Sequence, residues 1–393
     1  MRTVYVDNNA TTRVAPEVVE AMLPYFSEFY GNPSSMHFFG GQVQKNVNEA
    51  RERVADFLGA EPSEIVFTSC GTESDNAAIF GTLDSYPEKR HFITSRVEHP
   101  AIMNVPSYLN RKGYRTTDIS VDREGRLDLD ELKESITDNT AIVSIMYANN
   151  ETGVIFPIEE IGQVVKSRGI PFHTDGVQAA GKIPLNMKKS TVDLLSLSGH
   201  KLHAPKGIGV LYIRKGTKFS PFMIGGHQEK GRRGGTENVP YIIGLGKACE
   251  LAKMHLEEEN TRIRALRDYL EAKILERVPN TLGNGDRNSR LPNTLSVSFE
   301  YVEGESILLL LSDLGICASS GSACTSGSLE PSHVLRAMGV PFTAAHGSIR
   351  FSLSIYNTKE EMDYIIEHLP PIIQRLRDIS PFWKDYLKSQ GKG

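Results

Sequence analysis

The chain has 393 residues, of which 39% are hydrophobic and 23% charged, and its formal net charge is −4. This composition is typical of a soluble globular protein with room for two cores, and it gives no electrostatic case for binding nucleic acid or a membrane surface. No apolar run reaches the length of a membrane span and the N-terminus lacks a signal-peptide core, so we expect a cytoplasmic protein. Four cysteines without a C-x-x-C pair indicate neither a disulfide framework nor a zinc site.

The first two thirds of the chain alternate between strand-like and helical segments. A short strand from Val4 leads into polar residues, and helical patterns follow at 16–29 and 42–58. Strand-like runs then occur at 63–69, 91–95, 114–119, 140–147, 169–175, 191–198 and 208–213. Strands separated by helices predict an α/β fold with a mostly parallel sheet flanked by helices, and such sheets carry their chemistry at the strand ends.

The organisation changes after a long helical stretch at 239–278. Strands are predicted at 295–300 and 348–353, and helices at 305–314 and 359–377, which together indicate a smaller α+β unit. We therefore predict a large domain at 13–255 and a small C-terminal domain at 256–393, with segment 1–12 packing onto the small domain. The charge run at 257–264 is expected to be a solvated helix face.

A lysine and a carboxylate follow two successive predicted strands. Lys201 ends the strand-like run 191–198 within Gly199-His200-Lys201, and Asp175 ends the preceding one. Most lysines are solvated surface groups, but this setting differs, because small and hydroxyl residues precede Lys201 and another strand follows it. A pyridoxal phosphate (PLP) enzyme needs a lysine to hold the aldehyde and an acid to keep the ring nitrogen protonated. The pair therefore predicts a PLP site.

Two further strand ends carry candidate binding residues. Cys70-Gly-Thr-Glu-Ser opens a helix after a strand, where backbone N–H groups can bind an anion, although a simple helix cap by Thr72 or Ser74 explains the pattern equally well. No G-x-x-x-x-G-K-[ST] motif occurs, which argues against a nucleotide P-loop. His99 follows another strand and is interpreted either as an aromatic lid or as a solvated or capping residue.

The tract 319–328, SSGSACTSGS, consists of small residues around one thiol. Such side chains bury little apolar area, so we expect a mobile segment from which Cys324 reaches outward. Cys249 and Cys317 are interpreted as buried small hydrophobic residues, and Cys70 is ambiguous.

Eleven motifs in order resemble one family over nearly the whole chain: YVDNNATT, NPSS, VFTSCGTESDN, VEHP, ANNETG, HTDGVQ, SLSGHKLHAPKG, GGHQEKGRRGGTEN, LPNT, SSGSACTSGSLEPSHV and IRFSLS. The chain resembles the NifS/IscS cysteine desulfurases, and within them the nitrogen-fixation NifS branch. The resemblance implies a homodimeric PLP enzyme of the class V aminotransferase type, with the type I fold. Such enzymes convert L-cysteine to L-alanine, hold the sulfur as a cysteine persulfide and pass it to an iron–sulfur scaffold such as a NifU-like protein.

The resemblance also implies roles for individual residues. Lys201 would bind the cofactor aldehyde, Asp175 the ring nitrogen and Gln178 the ring oxygen, while His99 would stack on the ring and take part in acid–base steps. The remaining cofactor contacts would come from Gly71, Thr72, Asn150, Ser198, His200 and, across the dimer interface, Thr236. Arg350 and Asn150 would bind the substrate, and Cys324 would carry the persulfide and act as a transient iron–sulfur ligand.

Two positions depart from the family pattern. Gly176 stands where HTDGVQ-type motifs often have alanine, and Ile355 where a basic residue is common. The first would loosen the backbone beside the ring, and the second removes a cation near either the substrate end or the surface that meets the sulfur acceptor.

Other functions remain open at this stage. A class V aminotransferase or a selenocysteine lyase would need Lys201 and Asp175 but no mobile thiol. A non-enzymatic iron–sulfur scaffold or sulfur carrier would use the cysteines as ligands, yet they lack ligand spacing.

Overall fold

The computed structural model describes residues 2–320 and 331–391, so Cys324 lies outside the described residues. The strands are β1 (Val4–Tyr5), β2 (Ile65–Thr68), β3 (His91–Ser95), β4 (Arg115–Ile119), β5 (Thr140–Ser144), β6 (Phe172–Asp175), β7 (Leu194–Ser198), β8 (Gly209–Ile213), β9 (Thr281–Gly283), β10 (Thr294–Phe299), β11 (Ile316–Cys317) and β12 (Ser348–Ser352). The helices are α1 (Pro16–Met22), α2 (Pro24–Ser27), α3 (Phe38–Leu58), α4 (Gly71–Ser85), α5 (Pro100–Met103), α6 (Val105–Arg111), α7 (Leu129–Ser135), α8 (Ile158–Lys166), α9 (Val239–Glu258), α10 (Arg264–Arg277), α11 (Gly304–Asp313), α12 (His333–Ala337), α13 (Phe342–Ala345), α14 (Lys359–Ile379) and α15 (Pro381–Ser389).

A seven-stranded sheet with the order β2-β8-β7-β6-β5-β3-β4 forms the centre of the molecule. The pairs from β7 through β6, β5 and β3 to β4 are parallel, whereas β8 runs antiparallel to both β7 and β2. The predicted α/β fold with a mostly parallel sheet is confirmed. The antiparallel strand is β8, which follows β7 after a short connection and so returns beside it.

Helices cover both faces of this sheet, because successive side chains of a strand point to opposite faces. In β2, Ile65 and Phe67 belong to the apolar cluster that includes α3 and α9, while Val66 packs with Ala77 and Ala78 of α4. The helix α4 thus lies on one face, and α3 and α9 lie on the other.

A second apolar cluster involves the C-terminal part of the chain. The antiparallel sheet β12-β10-β9 packs against α10, α11 and α14, and β1 pairs in parallel with β11, so that Val4 and Val6 join this cluster. These contacts support the division at 13–255 and 256–393, which stays a prediction. Val334, Leu335 and Met338 are different, since they pack into the first cluster although they belong to the C-terminal part.

Three local features differ from the sequence-based expectations. The helix expected at 16–29 is divided at Leu23, because Pro24 lacks the N–H that a continuous helix would need. The long helix at 239–278 contains a π-helical turn, Glu259–Ile263, between α9 and α10. The expectation of a solvated charged face is wrong for Glu259, which is buried and accepts a 2.5 Å hydrogen bond from Lys182 Nζ.

Among the helices of residues 2–320 and 331–391, none has the length and hydropathy needed to cross a bilayer.

Arg377 of α14 is buried, and each of its three guanidinium nitrogens donates to a backbone carbonyl. Its guanidinium donates to the carbonyl oxygens of Pro279 (2.7 Å), Asn280 (2.9 Å) and Glu300 (3.3 Å), and it lies over the ring of Trp383. It therefore ties α14 to the turns before β9 and after β10.

We predict that Arg377→Leu lowers the free energy of unfolding by about 3 kcal/mol, because the buried guanidinium and its three part-buried carbonyl partners lose their hydrogen bonds. The matched control is Arg375→Leu, at an exposed position of the same helix, which should change stability by less than about 0.5 kcal/mol. Urea unfolding of the two variants measures the difference, and equal stability would contradict the role of Arg377.

Candidate active site

A cavity of about 670 Å³ lies at the carboxyl ends of the parallel strands. Its lining includes every predicted site residue within the described chain except Thr236: Gly71, Thr72, His99, Asn150, Asp175, Gln178, Ser198, His200, Lys201 and Arg350. Thr236 is exposed and does not line the cavity. The structure therefore brings together residues that are up to 279 positions apart in the sequence, from Gly71 to Arg350.

Lys201 and Asp175 lie on the same wall. Lys201 ends a 3-10 turn directly after β7, and its Nζ donates to the carbonyl oxygens of Asn9 and Ala10. Asp175 ends the neighbouring parallel strand β6, is buried, and accepts from the N–H of Val177 at 2.9 Å. Burial raises the pKa of Asp175, and the ammonium of Lys201 is among the neighbours that oppose this rise.

The first turn of α4 forms the floor of the cavity. The helix begins at Gly71, and Cys70 caps it through a 3.4 Å hydrogen bond from the N–H of Glu73 to its Sγ, so neither Thr72 nor Ser74 is the cap. A Cβ on Gly71 would lie 3.0 Å from Val177 Cγ2 and 3.3 Å from Ser198 Cβ. Only glycine leaves this space open, and the amide groups of a helix N-terminus suit an anion such as phosphate.

His200 is held beside this turn as a neutral ring. Its Nδ1 lies 3.1 Å from Thr11 Oγ1, and its carbonyl oxygen accepts from the N–H of Thr12. Burial lowers the pKa of His200 to about 4, and the nearby Lys201 and Lys206 act in the same direction. At neutral pH this imidazole can donate or accept one hydrogen bond to a bound group without adding charge.

His99 is a helix-capping residue, as one of its two sequence-based interpretations expects, and it also lines the cavity; a lid role stays a prediction. It is the N-cap of α5, where its Nδ1 accepts from the N–H of Ala101 at 3.2 Å. Burial lowers the pKa of His99; Asp175 opposes this, and Lys201 and His333 reinforce it.

Three buried carboxyl groups that the sequence analysis did not single out also belong to this region. Asp75 lines the cavity one helical turn after Gly71, and that spacing alone predicts that both lie on the same face of α4. Glu98 accepts from Ser95 Oγ (2.6 Å) and the N–H of Met146 (3.0 Å). Glu151 accepts from Ser332 Oγ. Burial raises the pKa of all three, that of Glu98 to about 8.

Arg350 reaches the cavity from β12 of the second cluster. Its guanidinium donates to the carbonyl oxygen of Asn150 at 3.0 Å and to Asp7 Oδ1 at 2.8 Å, and its buried Nε has no partner within the described chain. A planar guanidinium with an unused N–H is suited to a carboxylate ligand. Gln178, also in the lining, donates from Nε2 to the carbonyl oxygen of Asn9 at 3.1 Å.

The two positions that depart from the family pattern have different surroundings. A Cβ on Gly176 would be 3.0 Å from Leu195 Cγ, so this glycine permits close packing of the β6 end against β7. The carbonyl oxygen of Ile355 accepts from Arg262 Nη2 at 2.6 Å, and its side chain lines a small cavity that also touches Lys201.

The cysteines of the described residues differ in burial. Cys249 is fully buried, which raises the pKa of its thiol, whereas Cys70 and Cys317 are half-buried and reduced. Cys249 thus fits the expectation of a packing residue. In the part of the chain that the structure describes, no cluster of three or more His, Cys, Asp or Glu side chains could hold a metal ion. The predicted role of Cys324 as an iron–sulfur ligand falls outside it.

Comparison of the sequence and the structure with known proteins identifies the family of this chain. The model of the family "Aminotransferase class-V" matches residues 4–365. The chain belongs to the class-V aminotransferase family. It is 63% identical over 385 residues to a cysteine desulfurase of Trichormus azollae and 58% identical over 384 residues to the cysteine desulfurase NifS of Azotobacter vinelandii, in each case covering 98% of this chain and 96% of the relative. A solved structure titled "NIFS-LIKE PROTEIN" superposes with a TM-score of 0.90 at 42% identity, covering 95% of this chain and 100% of that one.

The raised pKa of the buried Glu98 carboxyl predicts how the free energy of unfolding changes with pH. With its pKa near 8 in the folded protein and 4.5 as its ordinary value, the folded state keeps a proton that the unfolded state loses. This stabilisation is complete below pH 4.5 and is lost as the pH rises to about 8, at about 1.4 kcal/mol per pH unit.

Glu98→Gln should remove this dependence, because an amide does not titrate. The difference in unfolding free energy between the variant and the wild type should grow in favour of the variant by about 2–3 kcal/mol from pH 5.5 to 7.5. Urea unfolding across this range measures it. A difference that stays constant with pH would mean that Glu98 has the same charge in both states.

Proposed function

We propose that this protein is a PLP-dependent cysteine desulfurase, which converts L-cysteine to L-alanine and transfers the sulfur to Cys324. The observation that carries the proposal is the convergence of Lys201, Asp175, His99 and the α4 N-terminus on one cavity. The cysteine desulfurases that it resembles at 63% and 58% identity support the choice of substrate.

The residues of the cavity fit the cofactor. The open space over Gly71, with the first amides of α4, Thr72, Ser198 and the neutral His200, would hold the phosphate. The carboxylate of Asp175 would bind the ring nitrogen, and Gln178, Asn150 and His99 would border the ring. When bound, PLP supplies an aldehyde that Lys201 can hold and a ring that accepts electrons from the substrate carbon.

The other steps depend on residues of the chain itself. Lys201, held by the carbonyl oxygens of Asn9 and Ala10, is the amine that exchanges with substrate and moves the proton of the substrate α-carbon. Arg350 would bind the substrate carboxylate through its unpaired Nε and, after yielding Asp7, through Nη2 as well.

Cys324 is proposed as the sulfur acceptor from its position in the SSGSACTSGS motif, and the residue itself lies outside the described residues. Its thiolate would attack the substrate sulfur, so that a sulfur–sulfur bond forms as the carbon–sulfur bond breaks. A proton then replaces sulfur on the carbon. The products are alanine and a persulfide on Cys324, and no external oxidant or reductant is consumed.

The wider setting is also part of the proposal. We infer a cytoplasmic homodimer in which the exposed Thr236 of one subunit completes the phosphate site of the other. The persulfide sulfur would go to an iron–sulfur scaffold, such as a NifU-like protein in nitrogenase assembly, with Cys324 a transient ligand of the nascent cluster. The relative named NifS supports this assignment, and the net charge of −4 gives no support to a nucleic-acid partner.

The sulfur-acceptor role predicts the behaviour of Cys324→Ala in anaerobic incubations with L-cysteine and a thiol reductant. The wild type should release alanine and sulfide in equal amounts, and the variant should bind the cofactor but fall to the level of a reaction without enzyme. Cys317→Ala, at a cysteine outside the cavity, is the matched control and should retain activity. Full activity of Cys324→Ala would refute the persulfide step while leaving the cofactor site intact.

The cofactor assignment predicts that Lys201→Ala lacks the visible absorbance of lysine-bound PLP and forms no alanine, since the aldehyde has no amine to hold it. Lys189→Ala, at an exposed loop position, should keep both properties. An absorbance spectrum of the purified variants decides the matter, and an unchanged band in Lys201→Ala would show that another lysine holds the cofactor.

A further inference from the structure

The first turn of α4 carries a negative charge beside the place proposed for the phosphate. Glu73 is buried and follows Gly71 by two positions in this helix. Its Oε2 accepts from the N–H of Ser69 at 2.7 Å, so the carboxyl group folds back over the start of the helix. Burial raises the pKa of Glu73, but hydrogen bonds from Arg233 and Ser69 outweigh burial and hold the pKa below its ordinary value. Glu73 is therefore ionised at neutral pH.

Arg233 pairs with this carboxylate from a loop 160 positions later in the chain. Its Nε donates to Oε1 of Glu73 at 2.9 Å and its Nη2 donates to Oε2 at 3.2 Å, so the two groups meet through a pair of hydrogen bonds. The side chains of Arg233 and Glu73 are 20% and 7% exposed. No other carboxylate of residues 2–320 and 331–391 lies within 4.0 Å of this guanidinium. The charge of Arg233 is thus directed to Glu73.

The loop that carries Arg233 has a separate attachment to the large sheet. Both Oε atoms of Glu229 accept from the guanidinium of Arg51 at 2.7 Å, and Oε2 also accepts from the N–H of Phe67 in β2 at 3.1 Å. This second ion pair is also largely buried. The loop is therefore attached four positions before Arg233 by a different pair of charges, which provides an internal comparison for Arg233.

The charge on Glu73 matters because the proposed ligand of this turn is an anion. A phosphate monoester carries about −1.5 to −2 charges at neutral pH. Glu73 belongs to the same helical turn as Gly71 and Thr72, which line the cavity where the phosphate is proposed to bind. An unpaired carboxylate in this turn would repel the phosphate more strongly than in water, because the turn is buried. The guanidinium of Arg233 offsets that repulsion.

We propose that Arg233 is a positioning residue of the phosphate site, which neutralises Glu73 so that this carboxylate can order the start of α4 without repelling the phosphate. The inference rests on the proposed PLP-dependent function but not on the sulfur-transfer step. Neither Arg233 nor Glu73 lines the cavity, so Arg233 acts through Glu73 and does not touch the cofactor. Its effect concerns the phosphate group and leaves the contacts of the ring unchanged.

Pyridoxal, which has the ring and aldehyde of PLP but no phosphate, isolates this role. Absorbance titration of the cofactor-free full chain measures the Kd for each compound. In Arg233→Gln the Kd for PLP should rise about 10-fold or more, because Glu73 keeps its charge without a partner, while the Kd for pyridoxal should stay within about 2-fold. In Glu73→Gln the Kd for PLP should fall, because the unpaired Arg233 then favours the phosphate.

The double variant Glu73→Gln/Arg233→Gln separates neutralisation of the charge from attachment of the loop. With both charges removed, the Kd for PLP should return to within about 3-fold of the wild-type value. Arg233→Lys, which keeps the charge without the planar fork, should retain most of the affinity. Arg51→Gln is the matched control, since it breaks the other ion pair of the same loop. It should lower the stability of the fold but leave the ratio of the two Kd values unchanged.

The phosphorus NMR shift of the bound cofactor gives a second readout, which requires no turnover. This shift reports the ionisation of the phosphate, and an uncompensated negative charge nearby raises the pKa of that group. In the Arg233→Gln holoenzyme the phosphate should therefore take up a proton at a higher pH than in the wild type. In the double variant it should titrate as in the wild type.

Two results would overturn the proposal. Equal losses of affinity for PLP and pyridoxal in Arg233→Gln would show that the residue only maintains the fold, and a double variant as weak as Arg233→Gln would show that Arg233 does not act through Glu73. If Arg233→Gln does not fold, Glu73→Gln decides alone, since an unchanged Kd for PLP contradicts the charge argument. A wild type that forms no lysine-bound PLP would instead refute the proposed function, and the phosphate assignment would fail with it.

Discussion

Asn9 connects the two halves of the candidate site through its backbone and its side chain. Its backbone carbonyl contacts the first half. It accepts from Lys201 Nζ and from Gln178 Nε2, which belong to the large sheet. The side-chain amide and the N–H of the same residue donate to Thr294 Oγ1 and Ser352 Oγ, both at 2.9 Å, on the strands of the second cluster. Because these groups are buried, each lost hydrogen bond would leave an unsatisfied polar atom, so the network fixes how the two sheets meet. Arg350, on β12 of the second cluster, lines the cavity from the far side of this junction.

Burial and neighbouring charges together set the pKa values of the acids at and beside the cavity. Asp75, Glu98 and Asp175 are all buried, and burial raises the pKa of each. The ammonium of Lys201 acts in the opposite direction on Asp175, while Asp175 raises the pKa of Asp75 further. His99 and Lys201 thus favour the ionised form of Asp175, and Asp175 in turn favours the protonated form of Asp75. One negative charge is what a protonated pyridine nitrogen requires, and additional charges would weaken the preference for that position.

Much of the fold follows from the sequence because local patterns determine it. The alternation of strands and helices predicted the mostly parallel sheet. The rule that parallel strands end at the same edge was enough to predict that Asp175 and Lys201 lie at neighbouring strand ends. The break before Pro24 also has a local cause, since proline lacks the N–H of a helical hydrogen bond, although α14 continues through Pro370 and Pro371. The burial of Glu259 was not, because its partner Lys182 is 77 positions away and nothing local distinguishes it from the exposed acids beside it.

The same limit applies to the site. Asp75 could have been found from its spacing to Gly71, but Glu98 and His333 are 235 positions apart and meet only through the packing of α12 on the large sheet. Thr236 and Cys324 are a different case. Their roles were inferred from motifs alone, and the geometry that would test them lies in a second subunit or outside the described residues.

Glu98 links these observations, since it acts through both its side chain and its backbone. Its carboxyl group bonds to Ser95 and to the N–H of Met146, which fixes the turn between β3 and α5 against the end of β5. The same turn then supplies the Glu98 carbonyl to His333 and the Ala101 N–H to His99. One short segment therefore sets the proton positions of both imidazoles. The stability that the protonated carboxyl of Glu98 contributes is lost as the pH rises towards its pKa of about 8.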